Sequence, residues 1–310
     1  MKLDFTTLDV FTKQRLSGNQ VAIIRIPAVL RDQINEEQKQ KIASEFNLSE
    51  TVFLNEAGKD DEVVDYDIFT PLSRIAFAGH PTIGTAVYIA AYARNLYPIV
   101  HTLKTLAGLA PITFNPSTSI ASIVVPHDVH IHATRLPHPL PSSAGGDGSP
   151  TVPLVSIVRG MAFNLVPLTT LEALVSVSAG LLPVPEVYRG LHLDAFDGWN
   201  AGLTGTFYYV DLGIDPDQPG CRFIRTRSIG SREDPGTGSA SSALCCYLSL
   251  LEGREKGKGP FEFHLVQGVE VKRRCDIFVS VIRTEGGEDI DEVRLSGGAV
   301  KIIEGVIEVN

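Results

Sequence analysis

"IRTRSIGSREDPGTGSASSALCCYL", residues 224–248, has a counterpart earlier in the chain, "FTPLSRIAFAGHPTIGTAVYIAAYA" at 69–93. Each runs from a strand through a polar connection to an elbow of Gly, Pro and Thr, then into a helix of small and apolar residues. A helix without a polar stripe has no face to turn toward water, so both helices are expected to be buried on nearly every side. The shared order of elements predicts an α+β fold of two similar domains. Each is a curved, mainly antiparallel sheet wrapped around one central helix. The two elbows would then face one another, making the interdomain cleft the natural site. The boundaries expected are 1–125, which residues 300–310 would join, and 126–299.

The remaining elements are read outward from these two. "LDFTTLDVF" and "QVAIIRI" alternate as strands around an "SGNQ" turn at 17–20,. "NEEQKQKIASEFN" (35–47) is an amphipathic helix, and "TVFLNEA" and "VVDYDIFT" follow as strands,. The apolar helix after the first elbow is expected over 82–97, and the one after the second over 239–251. Residues 133–153, rich in Pro and Gly and without periodicity, read as loop or linker,. An amphipathic helix lies near "TTLEALVSVSAGL", and "GTFYYVDLG" and "DIFVSVIR" are strands. The tail "VRLSGGAVKIIEGVIEV" reads as two strands turning at Gly297–Gly298 and Gly305.

At 310 residues the chain exceeds a single core and suits two domains of about 150 residues each,. Hydrophobic residues make up 44% and charged residues 20%, the balance of a globular chain with a sizeable core,. The net charge of −9 without a Lys/Arg cluster argues against nucleic acid as a partner,. "MKLDFTTLDVF" lacks the apolar core of a signal peptide, and no apolar run approaches the roughly 18 residues of a membrane span,. The expectation is therefore a cytoplasmic protein with no membrane partner. The cysteines (Cys221, Cys245, Cys246, Cys275) have no metal-type spacing and read as reduced core filler,.

Chemistry concentrates at the elbows. A helix N-terminus presents unpaired backbone N–H groups and the positive end of the dipole. Glycines there let a ligand approach the backbone, so "GHPTIG" and "DPGTGS" both suit a small anion such as a carboxylate,. The alternative is ordinary capping, with Asp234 or Ser239 as N-cap and Pro235 and Pro81 just inside the helices. A further candidate is Glu50 of "NLSETVFL", at the entry to an apolar strand. There a carboxyl is either a general acid/base tuned by burial or an exposed strand-edge glutamate.

Other constellations fail. Without GxSxG, Ser239 and Ser241 have no support as hydrolase nucleophiles,. Without GxGxxG or GxxxxGK[ST], no nucleotide cofactor is indicated, and no cofactor is expected,. In "HDVHIH" (127–132), His130 and His132 share one strand face. They read as a solvated face, with no Cys or carboxylate cluster to complete a metal site,.

Six stretches together resemble the phenazine-biosynthesis PhzF-like family: "SGNQVAI" (17–23), "NLSETVFL" (47–54), "FTPLSRIAFAGHPTIGTA" (69–86), "REDPGTGSAS" (232–241), "QGVEVKRR" (267–274) and "GGAVKIIEG" (297–305). They occur in the family's order from about residue 3 to 305. The resemblance implies the diaminopimelate-epimerase-like fold and a cofactor-independent isomerase moving a proton on a small carboxylate-bearing metabolite. Glu50 matches the acid/base of that family, and His80 and Asp234 match the residues that assist it. The implied substrate-binding residues are Asn19, Gly79, Thr82, Gly236, Thr237, Gly238 and Ser239. No metal is implied, and a homodimer is. Related epimerases and racemases carry a cysteine base on each elbow; these elbows have none, which excludes that mechanism. The chain departs from the family at Arg74, where an acidic residue is usual in "TPxxE". It departs again before "EDP", where "RTRSIGSR" stands. The added Arg74, Arg225, Arg227 and Arg232 are expected either to alter substrate choice or to lie on the surface. The rival reading is a non-catalytic small-molecule or protein-binding module on the same fold.

Overall fold

The computed structural model describes residues 1–309. The chain divides into two compact units, one of Met1–Pro126 with the residues from Ser296 onward, the other of His127–Leu295.

In the first unit, β1 (Lys2–Val10) and β2 (Asn19–Ile26) form an antiparallel pair. The turn between them contains Gly18 at φ +69, where a Cβ would lie 2.3 Å from the Val10 carbonyl oxygen, so only glycine fits,. Helix α1 (Glu36–Phe46) follows. It is an amphipathic helix with complete local punctuation: a capping box between Asn35 and Gln38 and a left-handed C-cap at Asn47, φ 50,. Its Ile42 and Ala43 are buried in one core cluster with Phe53 and Phe69. Strand β3 (Glu50–Asn55) lies parallel to β2 and antiparallel to β4 (Val63–Phe69), which pairs with the short β5 (Arg74–Ile75). After the elbow comes α2 (Gly79–Val87), every residue of it buried. Strand β6 (Thr102–Thr105) returns parallel to β4, and β7 (Gly108–Asn115) and β8 (Ile120–Val124) continue antiparallel.

The second unit begins with β9 (His130–Ile131), and β10 (Leu136–Pro137) pairs with β11 (Thr151–Val152). From there the plan of the first unit is repeated. Antiparallel β12 (Leu154–Val158) and β13 (Gly160–Leu168) are followed by a short helix, α3 (Leu171–Ser176), and by β14 (Gly202–Ile214), parallel to β13. Next come antiparallel β15 (Cys221–Ile229), the short β16 (Glu233–Asp234) and the buried α4 (Gly238–Leu251). Strand β17 (Phe261–Gln267) is parallel to β15, and β18 (Cys275–Arg283) is antiparallel to β17. Thus β1-β2-α1-β3-β4-β5-α2-β6-β7 and β12-β13-α3-β14-β15-β16-α4-β17-β18 share order, pairing partners and strand sense. The kinship visible in the sequence at the elbows extends through the strands of both units.

Two expectations are corrected. The helix after the first elbow starts at Gly79 rather than Thr82, and passes into a π-helical turn over Tyr88–Tyr92 that ends the winding. Ala93 and Tyr97 remain buried beyond it, so the apolar pattern outlasts the helix and mimics its continuation. The tail is one strand, β19 (Ile290–Glu308), rather than two. Its glycines make room instead of turning: a Cβ on Gly297 would lie 2.4 Å from Phe11 Cδ1, and one on Gly305 would lie 2.9 Å from Phe5 Cε1,. Residues 133–153 form a loop within the second unit, pinned by the β10–β11 pair. His138, nearly buried, lies between two carbonyl oxygens, with Nδ1 2.7 Å from that of Leu140 and Nε2 2.9 Å from that of Pro167.

Candidate active site

Glu50 opens β3 directly after the Asn47 turn, opposite Val21 of β2. Its side chain is 14% exposed, and Oε2 lies 3.4 Å from Nδ1 of His80, the second residue of α2. His80 is buried, and its tautomer follows from its partners. Nε2 lies 3.2 Å from the Gln20 carbonyl oxygen, which can only accept, so Nε2 carries the proton,. Nδ1 accepts from Asn19 Nδ2 at 3.1 Å and therefore presents its lone pair toward Asn19 and Glu50. A second ring proton has one place to go, the nitrogen facing Glu50. Asn19, expected as a substrate contact, is itself buried and orients His80. Thr82 is fully buried: its N–H and hydroxyl both donate to the Ala78 carbonyl, at 3.4 and 2.6 Å, and the hydroxyl also meets Tyr66 Oη at 2.6 Å. Gly79 is the first residue of α2.

In the second unit Asp234 sits on β16, held opposite Ser228 of β15. Its Oδ2 accepts from the Thr237 hydroxyl at 2.5 Å. Thr237 is the N-cap of α4, and Gly238 and Ser239 are its first two helical residues; Gly236, Gly238 and Ser239 are buried. Neither α2 nor α4 has a side-chain cap: the N-cap residues are Ala78 and Thr237, and the Thr237 side chain turns back to Asp234. The capping alternative, with Asp234 or Ser239 as N-cap, does not describe these elbows. The contrast with α1 and its capping box is direct.

Gln267, the last residue of β17, was not singled out by the sequence reading. It is fully buried and braces the second elbow three ways. Its Oε1 accepts the Thr237 N–H at 3.0 Å, and Nε2 donates to the Asp234 carbonyl at 2.7 Å and to Thr237 Oγ1 at 3.0 Å. Gly268 beside it has φ +75, and a Cβ there would lie 2.5 Å from the Pro235 carbonyl oxygen. The signal was the "QG" pair, a polar residue ending an apolar strand.

The arginines that depart from the family pattern are mostly neutralised. Arg74 pairs with Asp67 and with Glu36, and Arg225 pairs with Glu270 at 2.7 Å. Arg227 pairs with Glu233 at 2.7 Å and donates to the Leu174, Val175 and Val177 carbonyls at the end of α3,. All four cysteines are free thiols. Burial pushes the Cys245 and Cys246 thiols up, deep inside α4, which makes them poor bases,. The histidine pair needs correction: His132 is buried rather than solvated, and Asp194 supplies the carboxylate thought to be missing. Burial, with the neighbouring His130 charge, holds the His132 pKa down to about 4. Among the described residues no helix is long and apolar enough to cross a membrane.

The model of one protein family, described as phenazine biosynthesis-like protein, matches residues 8–178 and 222–305. The chain belongs to this family. An uncharacterized isomerase of Pasteurella multocida is 29% identical over 282 residues, covering 90% of this chain and 86% of the relative. The trans-2,3-dihydro-3-hydroxyanthranilate isomerase of Pseudomonas chlororaphis is 27% identical and covers 98% of each chain. A Bacillus anthracis phenazine biosynthesis protein of the PhzF family shares the fold with a TM-score of 0.72, at 20% identity and 100% coverage of both chains. The fold is diaminopimelate-epimerase-like and the enzyme class is isomerase, as the resemblance implied.

Proposed function

We propose that this isomerase moves a proton between carbon atoms of a small carboxylate-bearing metabolite without a cofactor, with Glu50 as acid/base. The observation that carries the reading is the Glu50–His80 pair: 3.4 Å apart, nearly buried, with the ring tautomer set so that Nδ1 faces the carboxyl. As carboxylate, Glu50 would take the proton from carbon; as acid, once that proton has exchanged with solvent, it would deliver one to another carbon of the same molecule. His80 would hold the carboxyl in register and share the proton between the two events. The backbone of Gly236–Ser239 and Gly79 would bind the substrate carboxylate and the enolate-like charge that builds up next to it. The elbows support this, because neither N-cap residue caps its own helix with its side chain; at the second elbow the Thr237 N–H is held by Gln267. Joining Asp234 to the same substrate is part of the proposal.

The named activity of the Pseudomonas relatives supplies the first substrate to try, trans-2,3-dihydro-3-hydroxyanthranilate, followed by a panel of unsaturated and hydroxylated carboxylic acids. Incubation in deuterium oxide, read by mass spectrometry and NMR, should show isomerisation with deuterium at carbon. Glu50→Gln should lower that rate by about 10²–10⁴-fold while substrate binding persists. Unchanged exchange in Glu50→Gln would remove Glu50 from the reaction. Binding without exchange, across the panel in the parent protein, would favour the non-catalytic binding module.

A further inference from the structure

We propose that His130, His132 and Asp194 form a binding site for a divalent transition metal of the zinc type. The proposal is independent of the isomerase reading, and the site is complete within the second unit.

His130 belongs to β9 and His132 follows directly after it, two residues apart as on one side of an extended chain, with their rings in edge-on contact at 4.6 Å between centroids,. The strand is anchored by pairing with β12 and by the His132 N–H on the Leu154 carbonyl at 2.9 Å. Asp194 arrives from the loop after Gly190, where its own N–H meets His132 Nδ1 at 3.1 Å. The carboxylate accepts the Ala133 N–H at 3.2 Å and is held against the strand. Asp194 Oδ2 lies 2.8 Å from His130 Nε2 and 3.7 Å from His132 Nδ1, and the three donor atoms all fall within 4.8 Å of one another. In a tetrahedral zinc site with bonds of about 2.0–2.1 Å, neighbouring donors stand about 3.3 Å apart, a spacing that lies between the two carboxylate distances of 2.8 and 3.7 Å.

The surroundings support ligation. Metal-bound imidazoles characteristically give their second nitrogen to an outer partner that fixes the ring. His132 does so: Nε2 meets Ser156 Oγ at 2.8 Å, which leaves Nδ1 as the lone-pair nitrogen facing Asp194. The His130 ring is clamped by stacking on Trp199, with centroids 4.6 Å apart and planes 16° apart, and Phe196 abuts it edge-on. His130 and Asp194 keep part of their surface exposed, which gives an ion a way in and water a coordination position. Two imidazoles and one carboxylate select zinc, cobalt or copper over magnesium or calcium, which prefer oxygen ligands throughout. Coordination exchanges the His130–Asp194 hydrogen bond, and that of the Asp194 N–H to Nδ1, for three metal bonds. The His130 proton moves to Nδ1 of its ring.

Trp199 is the only tryptophan in the chain and stacks on a proposed ligand, so the site carries its own reporter. Untagged protein, stripped with EDTA and dialysed, is titrated with Co²⁺ while tryptophan emission is followed; Zn²⁺ is then added in competition. The expected result is quenching that saturates at one equivalent and is reversed by Zn²⁺, with a visible cobalt band of low-symmetry coordination. His130→Gln and Asp194→Asn should each weaken Co²⁺ at least tenfold, with unchanged far-ultraviolet circular dichroism. Ser156→Ala should weaken it about 10–100-fold through loss of ring orientation. No saturable quenching, or quenching of equal strength in His130→Gln, would overturn the site. If Asp194→Asn does not fold, the more exposed His130→Gln carries the test.

Discussion

Replacing Gln267 by leucine tests whether the second elbow is braced from β17. Leucine keeps much of the volume and the apolar surroundings, so the change isolates the amide. Three hydrogen bonds disappear: Thr237 N–H to Oε1, and Nε2 to the Asp234 carbonyl and to Thr237 Oγ1. At about 0.5–1.5 kcal/mol net for each, and with Thr237 and Asp234 only half-buried so that water replaces part of the loss, the cost is about 2–4 kcal/mol. For a unit of this size that lowers Tm by about 5–15 °C. Calorimetry on parent and variant reads the stability, and hydrogen exchange by mass spectrometry across the 230–245 peptide reads the elbow. A double-mutant cycle with Thr237→Val adds the decisive number. Because Gln267 Nε2 donates to Thr237 Oγ1, the two substitutions should be non-additive by about 0.5–1 kcal/mol or more,. A Gln267→Leu protein within about 0.5 kcal/mol of the parent, with unaltered exchange in that peptide, would refute the brace.

Two further outcomes are expected. Arg283 is fully buried, and its guanidinium donates to the carbonyls of Ser249, Glu252, Gly253 and Gly257 around the end of α4 while lying over the Phe261 ring. Arg283→Met should therefore cost about 3–5 kcal/mol in urea unfolding, and a cost below about 1 kcal/mol would show that water replaces the guanidinium. Asp276 is held at a pKa of about 2, down from 3.8: burial pushes it up, but hydrogen bonds from His264 and Arg274 outweigh that. A depressed carboxyl stabilises above its unfolded value and loses the contribution as pH falls from about 4 toward 2,. The interval corresponds to about 2.4 kcal/mol, reduced to about 1 kcal/mol by solvent at a side chain 36% exposed,. Burial likewise opposes the charge on His264, yet its bonds to Asp276 and Asp215 raise it, so its contribution is complete below 6.5 and fades as pH rises above that. Stability against pH should show this cluster's gain between about 4 and 6.5, and Asp276→Asn should flatten the acid limb by about 1 kcal/mol; an unchanged limb would remove the cluster from the acid transition.

What the sequence by itself determined is local in origin. The Asn35–Gln38 box and the Asn47 turn are punctuation within one helix, and both elbow helices announce their burial by carrying no polar stripe. Glu50 was legible as a candidate because it sits at the entry to an apolar strand, where a polar group stands out, whereas His80 was legible only through the family resemblance of the "GHP" stretch. What the tertiary structure decided depends on atoms that meet from distant parts of the chain. Gly297 and Gly305 read as turns until the rings of Phe11 and Phe5, nearly 300 residues earlier, occupy the space a side chain would need. The same holds for the partners of Arg74 and Arg225 and for the arrival of Asp194 beside two histidines. The nitrogen of His80 that bears the proton is set by the Gln20 carbonyl, and the second elbow is set by an amide at the end of β17. Propensity, capping and periodicity act over a few residues and are written in the order of the chain. Hydrogen-bond partners and close contacts act over a few ångströms, and only folding brings those residues within range.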